Sequence, residues 1–174
     1  MQNILITGGT GLIGSTLIPR LLTNNHNITV LTRSLESAKA KLPEGVALIN
    51  DLSQLDNLDE YDAVINLAGE PIVNKRWSEA QKAKLEQSRW RTTEALVGLI
   101  KASNSPPEVF ISGSAIGYYV RQGQTPIDET FDAPFDEFSH RLCKTWEDIA
   151  LQADTETRVC IMRTGIVLAA NGGA

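Results

Sequence analysis

The stretch from Asn3 to Gly14, NILITGGTGLIG, decides the fold. Asn3 to Thr7 reads as a short apolar strand that breaks on a pair of glycines. From Leu12 onward apolar residues return at helical spacing, with Leu17 and Leu21, and Ile18 and Leu22, as i,i+4 pairs. Between strand and helix lies Gly8-x-x-Gly11-x-x-Gly14. A turn of this kind needs a tight bend, bare main chain where an anion approaches, and close packing of helix on strand. Gly8, Gly11 and Gly14 fit those needs in that order, and the first amides of the helix then face the anion. The stretch reads as a cradle for a dinucleotide diphosphate, with Gly8, Thr10, Gly11, Leu12, Ile13 and Gly14 as its contacts.

Working outward, strand-like and helix-like segments alternate. Further strands are expected at 28–32, 46–49, 62–68, 108–113 and 158–168, and helices at 12–25, 35–42, 78–103 and 139–153. Ser78 followed by Gln81 forms a capping box at the start of the long helix. Residues 114–138 are a polar loop of a length that often carries function. The strands are short and almost wholly apolar, so helices should cover both faces of a parallel sheet. The expectation is an α/β doubly wound parallel sheet of Rossmann type, one nucleotide-binding domain over 1–168. Residues 169–174 then read as the start of a small C-terminal substrate domain missing from this chain, since "LAANGGA" follows the sixth strand without a capping signal.

The 174 residues allow one sizeable core, and 42% apolar with 21% charged residues fit an ordinary globular domain. A net charge of −5 argues against a duplex-binding surface. Cys143 and Cys160 form neither a disulfide framework nor a zinc pattern, and they suggest reduced thiols in a cytoplasmic protein. No metal site is expected. The apolar runs are too short to cross a membrane, and the N-terminus lacks a basic region and cleavage site.

The spacing T-G-x-x-G-x-x-G resembles the extended short-chain dehydrogenase/reductase superfamily, in its NAD-dependent epimerase/dehydratase branch. "NLAG" at 66–69, "SGSAIGYY" at 112–119 and "RTGIVL" at 163–168 are similar to further segments of that family. "NLAGEPI" with "KRW" is similar to a subgroup known as epimerase family proteins, a label of kinship rather than of reaction. The resemblance implies that Asp51 and Leu52 lie near the adenine. It places Leu67, Ala68 and Gly69 under the ribose and diphosphate, and Val167 at the nicotinamide end. It also lets Arg89 bring a cation to the cofactor. The second strand ends "LTRS". Where NAD readers place a carboxylate, Thr32 and Arg33 offer a hydroxyl and a guanidinium, which suits a 2′-phosphate and favours NADP over NAD.

The superfamily's chemistry, by the same resemblance, uses a serine that holds the substrate oxygen and a Tyr-x-x-x-Lys pair on a helix. The tyrosine moves the proton, and the lysine lowers its pKa. Ser114 matches the serine. His140-Arg-Leu-Cys-Lys144 falls near the expected helix position, where Lys144 matches and His140 replaces tyrosine. Residues four apart share one helix face, so imidazole and ammonium would stand side by side. His140 is one candidate for the proton, since an imidazole titrates near neutral pH. Tyr118 or Tyr119 is another, reaching in from the loop. Phe131, Phe135 and Phe138 are expected to pack that loop down, and its acids Asp128, Glu129, Asp132, Asp136 and Glu137 to be solvated.

Two readings follow. One is an NADP-dependent enzyme acting on a hydroxyl- or carbonyl-bearing small molecule, an epimerase of a nucleotide-linked sugar among them. The other is an NADP-binding, redox-responsive module with little turnover, because the expected tyrosine is His140. Pairing of helices 78–103 and 139–153 between two copies, common in the superfamily, would make a homodimer.

Overall fold

The computed structural model describes residues 1–73, 75–124, 126–131, 135–169 and 172–173. Six parallel strands form one sheet: β1 (Asn3–Thr7), β2 (Asn27–Leu31), β3 (Ala47–Ile49), β4 (Ala63–Asn66), β5 (Val109–Ala115) and β6 (Arg158–Thr164). Their spatial order is β3-β2-β1-β4-β5-β6. The order runs outward from β1 in one half and from β4 in the other, which leaves a crevice at the carboxyl ends of β1 and β4.

Helices α1 (Leu12–Thr23) and α2 (Leu35–Lys39) follow the first two strands, and α3 (Glu79–Lys101) and α4 (Phe138–Ala150) serve the second half. Alternation along each strand explains why both faces are covered. Ile4, Ile6, Ala63 and Ile65 pack with Ile18, Ile28 and Val30 on one side. Leu5, Val64 and Phe110 pack with Leu96, Val97 and Ile100 of α3 on the other. A strand apolar at every position thus feeds two cores, and the doubly wound sheet expected from the sequence is the one observed.

Several boundaries differ from expectation for identifiable reasons. The fourth strand stops at Asn66, beyond which Leu67 and Ala68 leave the ladder: their amides go to the carbonyl and the hydroxyl of Thr7. The sixth strand stops at Thr164, opposite Ala115, because β5 turns there into a 3₁₀ turn over Ile116–Tyr118 and offers no further partner. Leu168–Ala169 (β7) instead pairs antiparallel with Gly172–Gly173 (β8). The Ser78 hydroxyl accepts from the Gln81 amide at 3.3 Å, but the capping box is half closed. The Ser78 amide is already taken by the Arg76 carbonyl, and Gln81 Nε2 is buried without a partner among the described residues.

Two glycines separate close packing from mere permissiveness. A Cβ on Gly14 would lie 2.6 Å from the Gly9 Cα, whereas one on Gly98, in α3, would meet nothing within 4 Å. Gly14→Ala should therefore destabilise the chain by about 1–3 kcal/mol through overpacking. Gly98→Ala should stabilise it by about 0.5–1 kcal/mol through backbone entropy. Urea unfolding of both variants checks this, and a neutral Gly14→Ala would contradict it.

Candidate active site and cofactor cradle

The crevice is walled by main chain. Gly8 has φ +70°, and a Cβ there would sit 2.5 Å from the Leu67 carbonyl oxygen. Gly9, which the sequence pattern did not single out, has the same constraint from the other side, with Ile18 and Val30 side chains 2.9 Å from its would-be Cβ. Gly11 differs: a Cβ there would meet only the Gly8 carbonyl, at 3.2 Å. Its outer side is open, as an anion-facing position requires.

Gly11 caps α1 without any side-chain bond, and the first turn carries no acidic residue. The Gly11 amide closes the turn onto Gly8, and the Ser15 amide bonds Gly11. The amides of Leu12, Ile13 and Gly14 between them have no acceptor among the described residues. Three aligned donors at the positive end of a twelve-residue helix are an anion site in waiting. Thr10 lies half-buried beside them.

Across the crevice, Thr7 Oγ1 donates to Asn66 Oδ1 at 2.6 Å. Asn66 Nδ2 and Trp146 Nε1 both donate to Thr93 Oγ1, at 2.9 and 2.8 Å. This buried chain ties β1, β4, α3 and α4 together and fixes the exit of β4, Leu67 to Gly69. Arg89 lies beneath that exit. A Cβ on Gly69 would approach its Cζ to 2.9 Å. Arg89 is only 8% exposed, donates to the Leu85 and Glu70 carbonyls at 3.1 Å, and has no ion-pair partner among the described residues. Burial lowers its pKa, yet a guanidinium stays charged, so a positive charge held by carbonyls sits under the crevice. Glycine cradle, free amides and buried cation together fit a diphosphate.

At the end of β2, Thr32 Oγ1 closes a local turn with Ser34 at 3.3 Å, and Arg33 is exposed with no partner among the described residues. The Asp51 carboxylate accepts from the Ser53 amide at 2.8 Å, which lowers its pKa. The Leu52 side chain is buried in the core, so only its main chain is available to a nucleotide. Val167 is half-buried beyond the end of β6.

The other end of the crevice departs from the expected face of His140 and Lys144. His140 is 4% exposed, its Nδ1 lies 2.6 Å from the Tyr118 carbonyl, and its ring packs on Tyr118 and Phe135. Lys144 has a half-exposed side chain and bonds both oxygens of Asp148 at 2.9 Å. One turn apart, the two residues straddle the boundary between the buried and solvated faces of α4.

The buried face of α4 carries a group that the sequence reading passed over. Glu147 pairs side-on with Arg163: Nε donates to Oε1 at 3.0 Å and Nη2 to Oε2 at 2.8 Å. Ser114 Oγ donates to the same Oε1 at 2.5 Å. Arg163 Nη1 donates to Tyr119 Oη at 2.8 Å, and the guanidinium stacks 3.6 Å over the Tyr118 ring. Ser114 and Arg163 are register neighbours on β5 and β6, which is why one carboxylate serves both. The ion pair with Glu147 pushes the Arg163 pKa up. Glu147 stands seven residues after His140, nearly two full turns, so helical spacing could have placed it on the buried face. Behind Ser114, Cys143 is a buried neutral thiol, its pKa raised by desolvation.

The aromatic residues pack the loop down: Tyr119 on Phe131, Phe131 on Phe135, and Trp77 against Phe138. Asp128 is engaged with Thr130 and Asp136 with Arg141, both at the surface, and Glu129 and Glu137 are exposed. Asp132 lies outside the described residues.

A family model described as the NAD dependent epimerase/dehydratase family matches residues 4–172. A chloroplastic protein of Arabidopsis thaliana, named epimerase family protein SDR39U1 homolog, is 37% identical over 181 residues, which is 99% of this chain and 51% of that protein. The crystal structure of human epimerase family protein SDR39U1 (isoform 2) with NADPH superposes with a TM-score of 0.84 at 30% identity, over 99% of this chain and 56% of that one. The nucleoside-diphosphate sugar epimerase of Corynebacterium glutamicum superposes with a TM-score of 0.78 at 28% identity, over 99% and 35%. The chain thus spans about half the length, or less, of these relatives.

Removing the Glu147 carboxylate would leave a guanidinium whose side chain is only 17% exposed without its counter-charge. Glu147→Ala should destabilise the chain by roughly 3–5 kcal/mol. Lys144→Ala, which breaks a pair of half-exposed side chains, should cost under about 1 kcal/mol. Equal effects in urea unfolding would contradict the assignment of the buried pair.

Proposed function

This chain belongs to the NAD-dependent epimerase/dehydratase family, and on that footing we propose that it binds NADP(H) at the glycine turn and uses it to oxidise or reduce a hydroxyl- or carbonyl-bearing small molecule, nucleotide-linked sugars included. The observation that carries this is the unsubstituted cradle: free amides of Leu12 to Gly14 opposite a buried Arg89. The choice of NADP is supported by Arg33, exposed, without a partner among the described residues and with no carboxylate next to it in the sequence at the end of β2. It is supported also by the NADPH bound to the human relative.

When bound, the cofactor supplies or takes up a hydride. The accompanying proton falls to the chain. Tyr119 is the residue assigned to move it: its oxygen already accepts from Arg163, so its own proton points elsewhere. Ser114 holds the substrate oxygen from the end of β5. His140 acts on the loop, by holding the Tyr118 carbonyl, rather than on the substrate. The alternative, an NADP-binding module with little turnover, draws support from that same burial of His140.

Titration of nicotinamide fluorescence tests the cofactor reading. NADPH should bind at least about tenfold tighter than NADH, and Arg33→Ala should erase the difference, as expected for loss of a charge-assisted contact. Tighter NADH binding, or an unchanged NADPH affinity in Arg33→Ala, would overturn it. Binding without any absorbance change across alcohols, carbonyls and sugar nucleotides would select the module.

A further inference from the structure

The bonds around Glu147 and Arg163 impose a direction on the two hydroxyls they hold. A carboxylate in an ion pair only accepts, so Ser114 must donate its proton across the 2.5 Å contact to Glu147 Oε1. A guanidinium only donates, so at 2.8 Å Tyr119 Oη must be the acceptor. Each hydroxyl retains the opposite capacity. Ser114 has its proton spent and keeps two lone pairs, one met by the Cys143 thiol behind it and one left to present. Tyr119 has a lone pair spent and presents its proton.

Rotating either hydroxyl does not undo this. All three guanidinium nitrogens of Arg163 are engaged, two by Glu147 and one by Tyr119, and its plane is pressed on the Tyr118 ring. Glu147 is almost wholly enclosed, so a Ser114 proton turned outward would forfeit a charge-assisted bond to a buried carboxylate. A site in which serine and tyrosine both donate would suit a carbonyl oxygen with two lone pairs. Here such an oxygen meets the Ser114 lone pair head on, while an alcohol can donate to Ser114 and accept from Tyr119.

We propose that Glu147 and Arg163 are positioning residues that fix Ser114 as acceptor and Tyr119 as donor, so that the site holds its substrate as an alcohol in preference to the corresponding carbonyl compound. This rests on the reading above that these two hydroxyls meet the reacting oxygen.

Fluorine NMR titration with para-fluorobenzyl alcohol and para-fluorobenzaldehyde, on the full chain with and without NADP⁺, tests it. The two probes share a shape and differ at the reacting group. The alcohol should bind about fivefold tighter, the worth of one hydrogen bond. Ser114→Ala should bring the ratio to about one, by removing that same bond. Glu147→Gln should lower or reverse it, because a carboxamide can donate to Ser114 and free the serine proton. A merely structural role for Glu147 would weaken both probes alike and leave the ratio unchanged, which would overturn the proposal. So would an aldehyde bound as tightly as the alcohol, a ratio that survives Ser114→Ala, or binding of neither probe to the folded chain. If Glu147→Gln does not fold, Ser114→Ala decides alone. An alcohol preference without NADPH affinity strikes only the cofactor reading, and NADPH affinity without the preference strikes only this one.

Discussion

The tightest approach at any described glycine is that of two strand ends at the centre of the sheet. The Leu67 carbonyl lies where a side chain on Gly8 would have to be, and Gly9 holds the place that a further carbon on Gly14 would fill. Only main chain fits there. That contact sets the seat of α1 on β1, points the first turn of the helix at the crevice, and leaves its amides without partners among the described residues. The polar chain from Thr7 through Asn66 and Thr93 to Trp146 holds the opposite wall at the same level. The crevice exists because the sheet order reverses between β1 and β4, so no connection crosses above it.

Two enclosed guanidinium groups flank this crevice and are treated in opposite ways. Arg89 is satisfied by neutral carbonyls, and its charge remains available to act on whatever lies above Gly69. Arg163 is neutralised by Glu147, and its charge serves to hold two hydroxyls in place. Among the described residues Arg89 has no counter-ion, and a buried cation of that kind, held beneath a glycine-lined crevice, costs stability. A buried cation with one is a scaffold.

The fold was legible because its signals are local. A glycine turn between strand and helix, and strands apolar at every position, need no knowledge of distant residues to be read. The main-chain turn between β1 and α1 was legible for the same reason. The end of the crevice beside α4 was not. His140 and Lys144 are neighbours on any helical wheel, yet the buried face of α4 turns one inward and leaves the other at the rim. Which side of a helix is covered depends on what packs against it, here the turn after β5 and the side chain of Arg163 from β6. The Ser114, Glu147, Arg163 and Tyr119 cluster is drawn from β5, α4, β6 and the turn after β5, and the register of β5 on β6 sets Ser114 beside Arg163. Strand ends suffered likewise: apolar residues run on past Asn66 and Thr164, but the partner needed for a ladder does not.

The dependence of the whole on bare main chain can be measured at the atoms concerned. Amide NMR of the labelled chain, titrated with NADPH, reports on each N–H separately. The largest shifts should fall on Leu12, Ile13 and Gly14, with a second group at Gly69 across the crevice. A folded spectrum in which those amides stay still at saturating NADPH, whether or not another surface responds, would contradict the account.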